Sequence, residues 1–369
     1  MTIPRALVPE HIASLVPYQP GRPIADVQRE FGLADVIKLA SNENPWGPSP
    51  RAIEAAREAL LQVHLYPDVA SRDLREALTR HYRVAFGNTI VGAGSEGIMA
   101  GIVRTFLHGE DEVLTSEGTF IGIMVLAKAQ GVRIRTVPLR QWGYDLEAMA
   151  DAIGPRTKII YLANPNNPTG TMFTRAEFER FYDRVPAHVL IIQDEAYHEF
   201  VPPLETYPDS QLYRYDNVIT LRTFSKAHGL AGLRIGYGLA AESLIEPLLK
   251  VKLPFEPGTA ATAAALAALE DRGHLDRTVA NNQEGLGRLL PALRAMGLDP
   301  VDSHANFVMV PLGDAARTQA LSEALLRRGI IIRPLGAFGL PACVRISIGT
   351  PHEIDRLLEA LPAALAEAS

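Results

Sequence analysis

The chain has 369 residues, which exceeds the size at which one hydrophobic core keeps growing, so a large and a small domain are expected. With 47% hydrophobic and 21% charged residues, the composition is that of a globular protein with a sizeable core. A net charge of −6 excludes a general binder of nucleic acid or of polyanionic membranes.

Cysteine and histidine usage narrows the class of protein further. The single cysteine, Cys343, allows neither an intramolecular disulfide nor a cysteine-based zinc site, which is typical of the reducing cytoplasm. Prolines and charges interrupt the N-terminal segment where a signal peptide needs an apolar core, and no run of about 18 apolar residues could span a membrane. The ten histidines show no metal-ligand spacing. We therefore expect a cytoplasmic protein without a bound metal.

The predicted elements begin with a proline-rich arm, residues 1–35, that contains one short helix. Ser49 predicts the cap of a helix that extends to about Gln62, and Ser71 predicts the cap of a second helix that extends to about Phe86. From residue 89 onward, short apolar strands alternate with helices, which predicts a mostly parallel sheet covered on both faces. This large domain is expected to occupy residues 36–258.

The pattern changes after Pro254. Residues 258–270 are rich in alanine and helical, and helix continues to about Met296, long enough to bridge two domains. Shorter strand and helix patterns follow, at 306–310, 316–328, 330–333, 344–348 and 353–365. We therefore predict an α/β fold: a large domain with a seven-stranded type of sheet between helices, and a smaller α+β domain within residues 259–369.

Three predicted strands end on side chains that can perform chemistry. They cover residues 158–162, 189–192 and 218–221. Ligands of such sheets bind beyond the carboxyl ends of the strands, so these side chains are expected to face one crevice. In chain order they are Asn167, Asp194, Tyr197 and Lys226. Thr223, Ser225 and Arg234 belong to the same stretch of sequence as Lys226 and are candidate phosphate ligands.

Lys226 and Asp194 suggest the chemistry. A lysine shielded from water has a lowered pKa and can form a Schiff base with a carbonyl carbon. Hydroxyls and a guanidinium, together with the start of a helix at Gly94 and Ser95, can hold a phosphate ester. An aspartate beneath a cationic ring nitrogen completes the pattern of a pyridoxal 5'-phosphate site. In such a site Tyr197 and Asn167 would reach the phenolic oxygen of the ring, and Phe120 would stack on its face.

Each of these residues also has an ordinary structural explanation. Ser95 could cap a helix, Phe120 could be a core aromatic, Asn167 could belong to a turn, and Asp194 could form a salt bridge. Their convergence on one sheet edge favours the functional interpretation.

Several longer motifs carry a resemblance to a known family. The chain resembles the fold type I pyridoxal-phosphate aminotransferases, and within them it is similar to histidinol-phosphate aminotransferases. The motifs span nearly the whole chain and are, in order, LVPYQPG, LASNENPWGPSP, YPD, GAGSEGI, ANPNNPTG, DEAY, RTFSKAHGLAGLRIGYG and CVRISIGT.

The resemblance implies further roles. It implies a homodimer with its active sites at the interface, where Tyr66 reaches the cofactor phosphate of the partner subunit, and it adds Glu96 to the cofactor site. Arg345 matches the arginine that receives the carboxylate of an amino-acid substrate, although an arginine in an apolar strand could also form a buried ion pair. The remaining residues implied for the substrate pocket are Tyr18, Asn42, Asn306 and Arg333.

The implied reaction is amino-group transfer from histidinol phosphate to 2-oxoglutarate, with Lys226 as the proton shuttle. An aromatic amino-acid aminotransferase shares nearly all of the motifs and is the main alternative. A decarboxylase or lyase that acts on an amino acid phosphate is a further alternative. The same fold also serves as a ligand-sensing module of transcription regulators, but the roughly 35 residues before the fold leave no room for a DNA-binding domain.

Overall fold

The structure is a computed structural model, and it describes residues 7–17, 21–202, 206–208 and 216–368. Within these residues lie thirteen α-helices and twelve β-strands. The helices are α1 Glu10–Ala13, α2 Ile24–Phe31, α3 Pro50–Leu60, α4 Arg72–Tyr82, α5 Gly94–Phe106, α6 Ile121–Ala129, α7 Leu146–Asp151, α8 Arg175–Tyr182, α9 Glu242–Val251, α10 Thr259–Glu270, α11 Arg272–Ala295, α12 Ala315–Arg327 and α13 Pro351–Glu367. The strands are β1 Ile37–Lys38, β2 Thr89–Gly92, β3 Glu112–Ser116, β4 Arg133–Val137, β5 Thr157–Ala163, β6 Leu190–Asp194, β7 Val218–Thr223, β8 Gly236–Leu239, β9 Phe307–Pro311, β10 Ile330–Ile331, β11 Arg333–Pro334 and β12 Cys343–Ser347.

The large sheet has seven strands in the order β2-β8-β7-β6-β5-β3-β4. Strand β8 runs antiparallel to both of its neighbours, and the other pairings are parallel. Residues on both faces of its central strands are buried: Ile192 belongs to one apolar cluster and Ile191 to the cluster on the opposite face. Apolar residues at successive positions therefore form strands that are covered on both sides, as predicted.

A three-stranded antiparallel sheet, β11-β12-β9, forms the centre of the C-terminal region. Its apolar residues share one core with residues of α11, α12 and α13. Strand β1 pairs in parallel with β10, so the segment at 37–38 joins this region and not the large sheet. The fold is thus α/β with a second, smaller α+β unit, while the division at residues 35 and 258 stays a prediction.

The predicted helix boundaries need three corrections. Ser71 lies before α4 but makes no capping hydrogen bond, because its backbone is left-handed at φ +47° and not extended as at a capping residue. Asp68 instead accepts the Arg72 N–H at 2.7 Å, and the helix ends at Tyr82, not Phe86. The predicted continuous helix from 258 to 296 breaks at Asp271, whose carboxylate accepts the His274 N–H at the start of α11. Residues 7–17 and 21–35, the described part of the predicted arm, contain two helices, α1 and α2, where one was expected.

The cap at Ser49 forms as predicted, since its hydroxyl accepts the N–H groups of Arg51 at 3.1 Å and Ala52 at 3.4 Å. Among the described residues, none of the helices has the length and apolar character needed to cross a membrane.

Candidate active site

A cavity of about 160 Å³ lies beyond the carboxyl ends of β5, β6 and β7, which are neighbours in the large sheet. The parallel strands deliver the loops that follow them to the same edge. Ten of the predicted cofactor residues line this cavity: Ser95, Glu96, Phe120, Asn167, Asp194, Tyr197, Thr223, Ser225, Lys226 and Arg234. A larger cavity of about 810 Å³ shares none of these residues, so size does not identify the site.

Asp194 ends β6 and is 5% exposed. Its Oδ2 accepts the hydroxyl hydrogen of Tyr161 at 2.8 Å, and its Oδ1 accepts the N–H of Ala196 at 3.2 Å. Burial raises the pKa of Asp194 to about 6, although both hydrogen bonds oppose the rise. A cation placed in the cavity beside this carboxylate would favour its ionised form.

Lys226 follows β7 across the cavity. Its Nζ lies 3.5 Å from the carbonyl oxygen of Ser41 and 5.8 Å from the ring centroid of Tyr197. Burial, assisted by the charge of Arg345, lowers the pKa of Lys226 to about 8. An amine with this pKa is partly unprotonated near neutral pH and can act as a nucleophile or a base.

One end of the cavity is built from hydroxyls, a helix start and a guanidinium. Thr223 donates its hydroxyl to Ser225 Oγ at 2.9 Å, and the Ser225 N–H donates to Thr223 Oγ1 at 3.1 Å. Ser95 stands in the first turn of α5, and Arg234 lies 3.9 Å from Glu96 on the same helix. These donors and the positive end of the helix dipole suit a dianionic phosphate group.

Arg345 lies on β12 opposite Arg333 on β11. Its guanidinium donates to Asn167 Oδ1 at 2.5 Å and to the Ala40 carbonyl at 2.9 Å, and its Cζ lies 5.2 Å from the ring centroid of Phe307. The arginine is 5% exposed. These contacts connect the C-terminal sheet to the loop that follows β5.

Asn42 and Asn306 lie beside Tyr197. The side-chain amide of Asn42 donates to the Tyr197 hydroxyl at 2.9 Å, and the amide of Asn306 donates to the Asn42 carbonyl at 3.0 Å. Both asparagines are at most 2% exposed. The structure thus places both at the tyrosine that lines the cavity.

Two other predicted cofactor residues, Gly94 and Tyr66, do not line the cavity. Gly94 begins α5 with φ +75°, and a β-carbon there would come within 3.0 Å of the Arg234 guanidinium. Tyr66 is 81% exposed and stacks on Phe255 with centroids 4.2 Å apart, so any role at the cofactor needs a second chain. Tyr18 lies outside the described residues.

Comparison with known proteins identifies the family. The pattern of the family described as aminotransferase class I and II matches residues 34–361, which is most of the chain. The chain belongs to the class I and II aminotransferases. A histidinol-phosphate aminotransferase of Symbiobacterium thermophilum is 44% identical over 96% of this chain and 98% of its own length. A histidinol-phosphate aminotransferase of Akkermansia muciniphila is 43% identical over 95% of this chain and 97% of its own length.

A solved structure agrees with the sequence comparison. The crystal structure of the histidinol-phosphate aminotransferase from Sinorhizobium meliloti in complex with pyridoxal-5'-phosphate is similar, with a TM-score of 0.90. It is 33% identical in sequence, and the match covers 98% of both chains. The predicted family and fold are therefore confirmed.

The residues of this aminotransferase fit a pyridoxal phosphate. Asp194 is a desolvated carboxylate whose cost of ionisation a cationic ring nitrogen would reduce, and Lys226 is an amine of lowered pKa on the same cavity. Among the described residues, no group of three or more histidine, cysteine, aspartate or glutamate side chains could hold a metal ion.

Sequence reasoning missed two residues of this aminotransferase site. Tyr161 falls in an apolar strand pattern, yet it is two residues before Ala163, the register partner of Asp194, so period-two alternation puts it on the same face. Ser347, on β12, donates its hydroxyl to Asn42 Oδ1 at 2.8 Å. A motif search gives no signal for a contact across 305 residues.

Proposed function

We propose that this aminotransferase transfers the amino group of histidinol phosphate to 2-oxoglutarate in histidine biosynthesis, with pyridoxal 5'-phosphate as its cofactor. The observation that carries the proposed chemistry is the placement of Lys226 and Asp194 on one cavity at the ends of adjacent parallel strands. The proposed substrate is supported by relatives named histidinol-phosphate aminotransferases that are 43% to 44% identical over almost the full chain.

Pyridoxal phosphate supplies a cationic ring that accepts the electron pair released when a substrate C–H bond breaks. We propose that Asp194 keeps a proton on the ring nitrogen, that Tyr197 and Asn167 bind the phenolic oxygen, and that Phe120 covers the ring. The proposed phosphate ligands are Ser95, Thr223, Ser225 and Arg234, with Gly94 and Glu96 shaping the helix start.

Lys226 has two proposed tasks. Its Nζ would bind the aldehyde carbon of the cofactor, and it would later carry a proton away from the substrate carbon that bears nitrogen. A pKa of about 8 suits both tasks, because the amine is then neither permanently protonated nor a weak base near neutral pH.

Arg345 is the proposed anion receptor of the substrate pocket. Glutamate presents two carboxylates and histidinol phosphate presents a phosphate ester, and a planar guanidinium binds either anion through paired hydrogen bonds. Arg333 faces Arg345 across the β11–β12 pair and adds positive charge. Asn42 and Asn306 are proposed neighbours of the pocket, as is Tyr18, which lies outside the described residues.

We further propose a homodimer that works in the cytoplasm. Residues that follow α3 expose a group of large apolar side chains: Leu61 at 81%, Val63 at 69%, Leu65 at 58% and Tyr66 at 81%. Exposed apolar surface of this kind marks an interface, and a second copy of the chain is the proposed occupant. The one cysteine, Cys343, is buried and free, which suits a reducing compartment.

The test combines spectroscopy with steady-state kinetics. Purified protein with pyridoxal phosphate is expected to show a visible absorbance band that Lys226→Ala abolishes. It is also expected to prefer histidinol phosphate over phenylalanine and tyrosine by more than about tenfold in kcat/KM, with 2-oxoglutarate as the acceptor. A band that persists in Lys226→Ala would contradict the assignment of the lysine, and a preference for the aromatic amino acids would contradict the substrate.

A further inference from the structure

Asn42 forms hydrogen bonds with residues of three separate segments of the chain, Ser347, Asn306 and Tyr197. Its backbone N–H donates to Ser347 Oγ at 2.9 Å, and its backbone carbonyl accepts the Asn306 amide at 3.0 Å. The Ser347 N–H in turn donates to the carbonyl of Leu39, three residues earlier. Asn42 has φ +53° and is 1% exposed, a left-handed conformation that asparagine tolerates better than most residues.

The hydrogen bonds determine which way the Asn42 amide faces. Ser347 Oγ accepts the Asn42 backbone N–H, so its own hydroxyl hydrogen needs an acceptor. The described residues offer that hydrogen only Asn42 Oδ1, at 2.8 Å. With Oδ1 directed to the serine, the NH₂ group of Asn42 must face Tyr197 Oη, 2.9 Å away. The opposite orientation would leave the buried serine hydrogen without an acceptor, which costs free energy.

This orientation decides what the Tyr197 hydroxyl can do. Because Tyr197 Oη accepts a hydrogen bond from Asn42, its own hydrogen is not directed at the asparagine and no described residue accepts it. The charged groups that act on this phenol are Arg345 and Asp194, and Lys226 Nζ lies 5.8 Å from the ring centroid. The phenol also packs edge-on against Phe307 at 5.3 Å, which fixes the ring.

We propose that Ser347 and Asn42 are positioning residues that aim the hydroxyl hydrogen of Tyr197 into the cavity, toward an anionic oxygen of the bound ligand. This inference rests on the proposed function, in which that oxygen is the phenolic oxygen of pyridoxal phosphate. Asn42 therefore acts through Tyr197, and its amide need not touch the substrate. Ser347 lies two residues from Arg345 on β12, so one face of this strand serves both the anion receptor and the tyrosine.

Asn42→Asp reverses the direction of the hydrogen bond between residue 42 and Tyr197 with little change in the shape of the side chain. A carboxylate cannot donate, so Tyr197 would turn its hydrogen toward residue 42 and away from the cavity. Aspartate tolerates the left-handed conformation, so the variant is expected to fold. Ser347→Ala is a second variant, which frees the amide to turn over while leaving residue 42 unchanged.

The readout is the pH dependence of the visible spectrum of the substrate-free holoenzyme, not its activity. A lost hydrogen bond to the phenolic oxygen makes that oxygen more basic. The protonated nitrogen that would join Lys226 to the cofactor then releases its proton at higher pH, and the pKa of this nitrogen is the spectral pKa. Asn42→Asp is expected to raise the spectral pKa by about one unit, and Ser347→Ala by less. Ser116→Ala removes a matched buried strand serine, whose hydroxyl donates to the Val137 carbonyl, and should leave the spectrum unchanged.

A double-variant cycle with Tyr197→Phe separates this relay from the added negative charge. If Asn42 acts through Tyr197, then Asn42→Asp shifts the spectral pKa far less when the hydroxyl is already absent. The same shift in both backgrounds, or no shift in either, would overturn the inference. A wild-type protein that shows no visible band with pyridoxal phosphate would instead overturn the proposed function.

Discussion

Tyr161 is the residue that most directly modifies the charge of the candidate site. Its hydroxyl donates to Asp194 Oδ2 at 2.8 Å inside the core of the large sheet. Burial alone would drive the aspartate toward its neutral form, and this hydrogen bond favours the carboxylate. The ionised state of Asp194 thus depends on a side chain outside the recognised motifs.

Tyr161→Phe is expected to raise the pKa of Asp194 relative to that in the wild-type enzyme, because the hydrogen bond that lowers this pKa is lost while burial remains. A group with a raised pKa ionises only at higher pH, so the acidic limb of kcat/KM should move upward by about 0.5 to 1 unit. Tyr182→Phe is the control, since it removes a hydroxyl that donates to Asn217 and not to Asp194. An unchanged acidic limb in Tyr161→Phe would show that the hydrogen bond does not tune the aspartate.

Glu199 is a buried carboxyl group whose ionisation should make the stability of the protein depend on pH. Its side chain is 10% exposed and lies 3.8 Å from His228, and burial raises its pKa from 4.5 to about 7. The unfolded chain ionises near pH 4.5, so the stability linked to this group is fully present below that pH and is lost as pH rises through about 7. Burial lowers the pKa of His228 to about 4, so the imidazole stays neutral across this window.

Glu199→Gln removes the ionisable group. The free energy of unfolding of the variant, relative to that of wild type, should therefore be higher at pH 8 than at pH 5. We expect the difference between the two pH values to be on the order of 1 to 3 kcal/mol, measured from thermal or denaturant unfolding midpoints. Glu284→Gln, at an exposed position on α11, is the control and should show no such trend. Equal effects of Glu199→Gln at both pH values would refute the linkage.

At the scale of elements, the start of α5 depends on a close approach of β8. A β-carbon at Gly236 would lie 2.5 Å from the Ser95 nitrogen and 2.8 Å from the Gly94 carbonyl carbon. Backbone atoms cannot yield as a flexible side chain can, so the strand holds the helix start against the cavity only because residue 236 is glycine.

Gly236→Ala should displace the first turn of α5 and weaken binding of pyridoxal phosphate by at least about tenfold, since the helix start is a proposed phosphate ligand. Titration of the cofactor absorbance measures this affinity directly. Gly101→Ala, in the middle of the same helix, meets nothing within 4 Å and should leave the affinity unchanged. Equal affinities for Gly236→Ala and wild type would argue against a phosphate at this helix start.

The sequence predicts those parts of the site that local patterns encode. Buried strands and the residues after them are local, so the sequence alone predicts Asp194 and Lys226 at one sheet edge. The contact between Tyr161 and Asp194 needed the register of β5 on β6, and the contact between Asn42 and Ser347 joins residues 305 positions apart. Neither has a periodic signal.

Helix ends and very short strands were harder to predict for a related reason. Asp68 and Ser71 are both good capping residues, and the backbone conformation alone decides that the aspartate caps α4. Strand β1 has two residues, too few to show alternation, and only its partner β10 makes it a strand.

At the scale of the whole molecule, the exposed apolar group from Leu61 to Tyr66 remains unexplained by a single chain. Tyr66 stacks on Phe255, which is itself 40% exposed, so the two rings offer a flat apolar surface to solvent. We propose that a second copy covers this surface and that the same contact brings Tyr66 to the cavity of its partner.

Complementation between two defective chains tests this arrangement. Tyr66→Phe should weaken cofactor binding by roughly tenfold or more through one lost phosphate hydrogen bond, and Lys226→Ala should be inactive. In a mixed dimer, the Lys226→Ala chain supplies an intact Tyr66 to the site that keeps its lysine. Random mixing makes half of the dimers mixed with one complete site each, so about a quarter of all sites should regain wild-type affinity and activity.

The matched control replaces the donor chain by the double variant Lys226→Ala, Tyr66→Phe, which forms the same mixed dimers without an intact Tyr66 and should restore nothing. Native mass spectrometry confirms that mixed dimers are present in both experiments. Recovery with the single variant and none with the double variant would assign Tyr66 to the site of the partner subunit. Absence of recovery in confirmed mixed dimers would mean that each cavity is completed by its own chain, and a monomer in solution would rule out the shared site altogether.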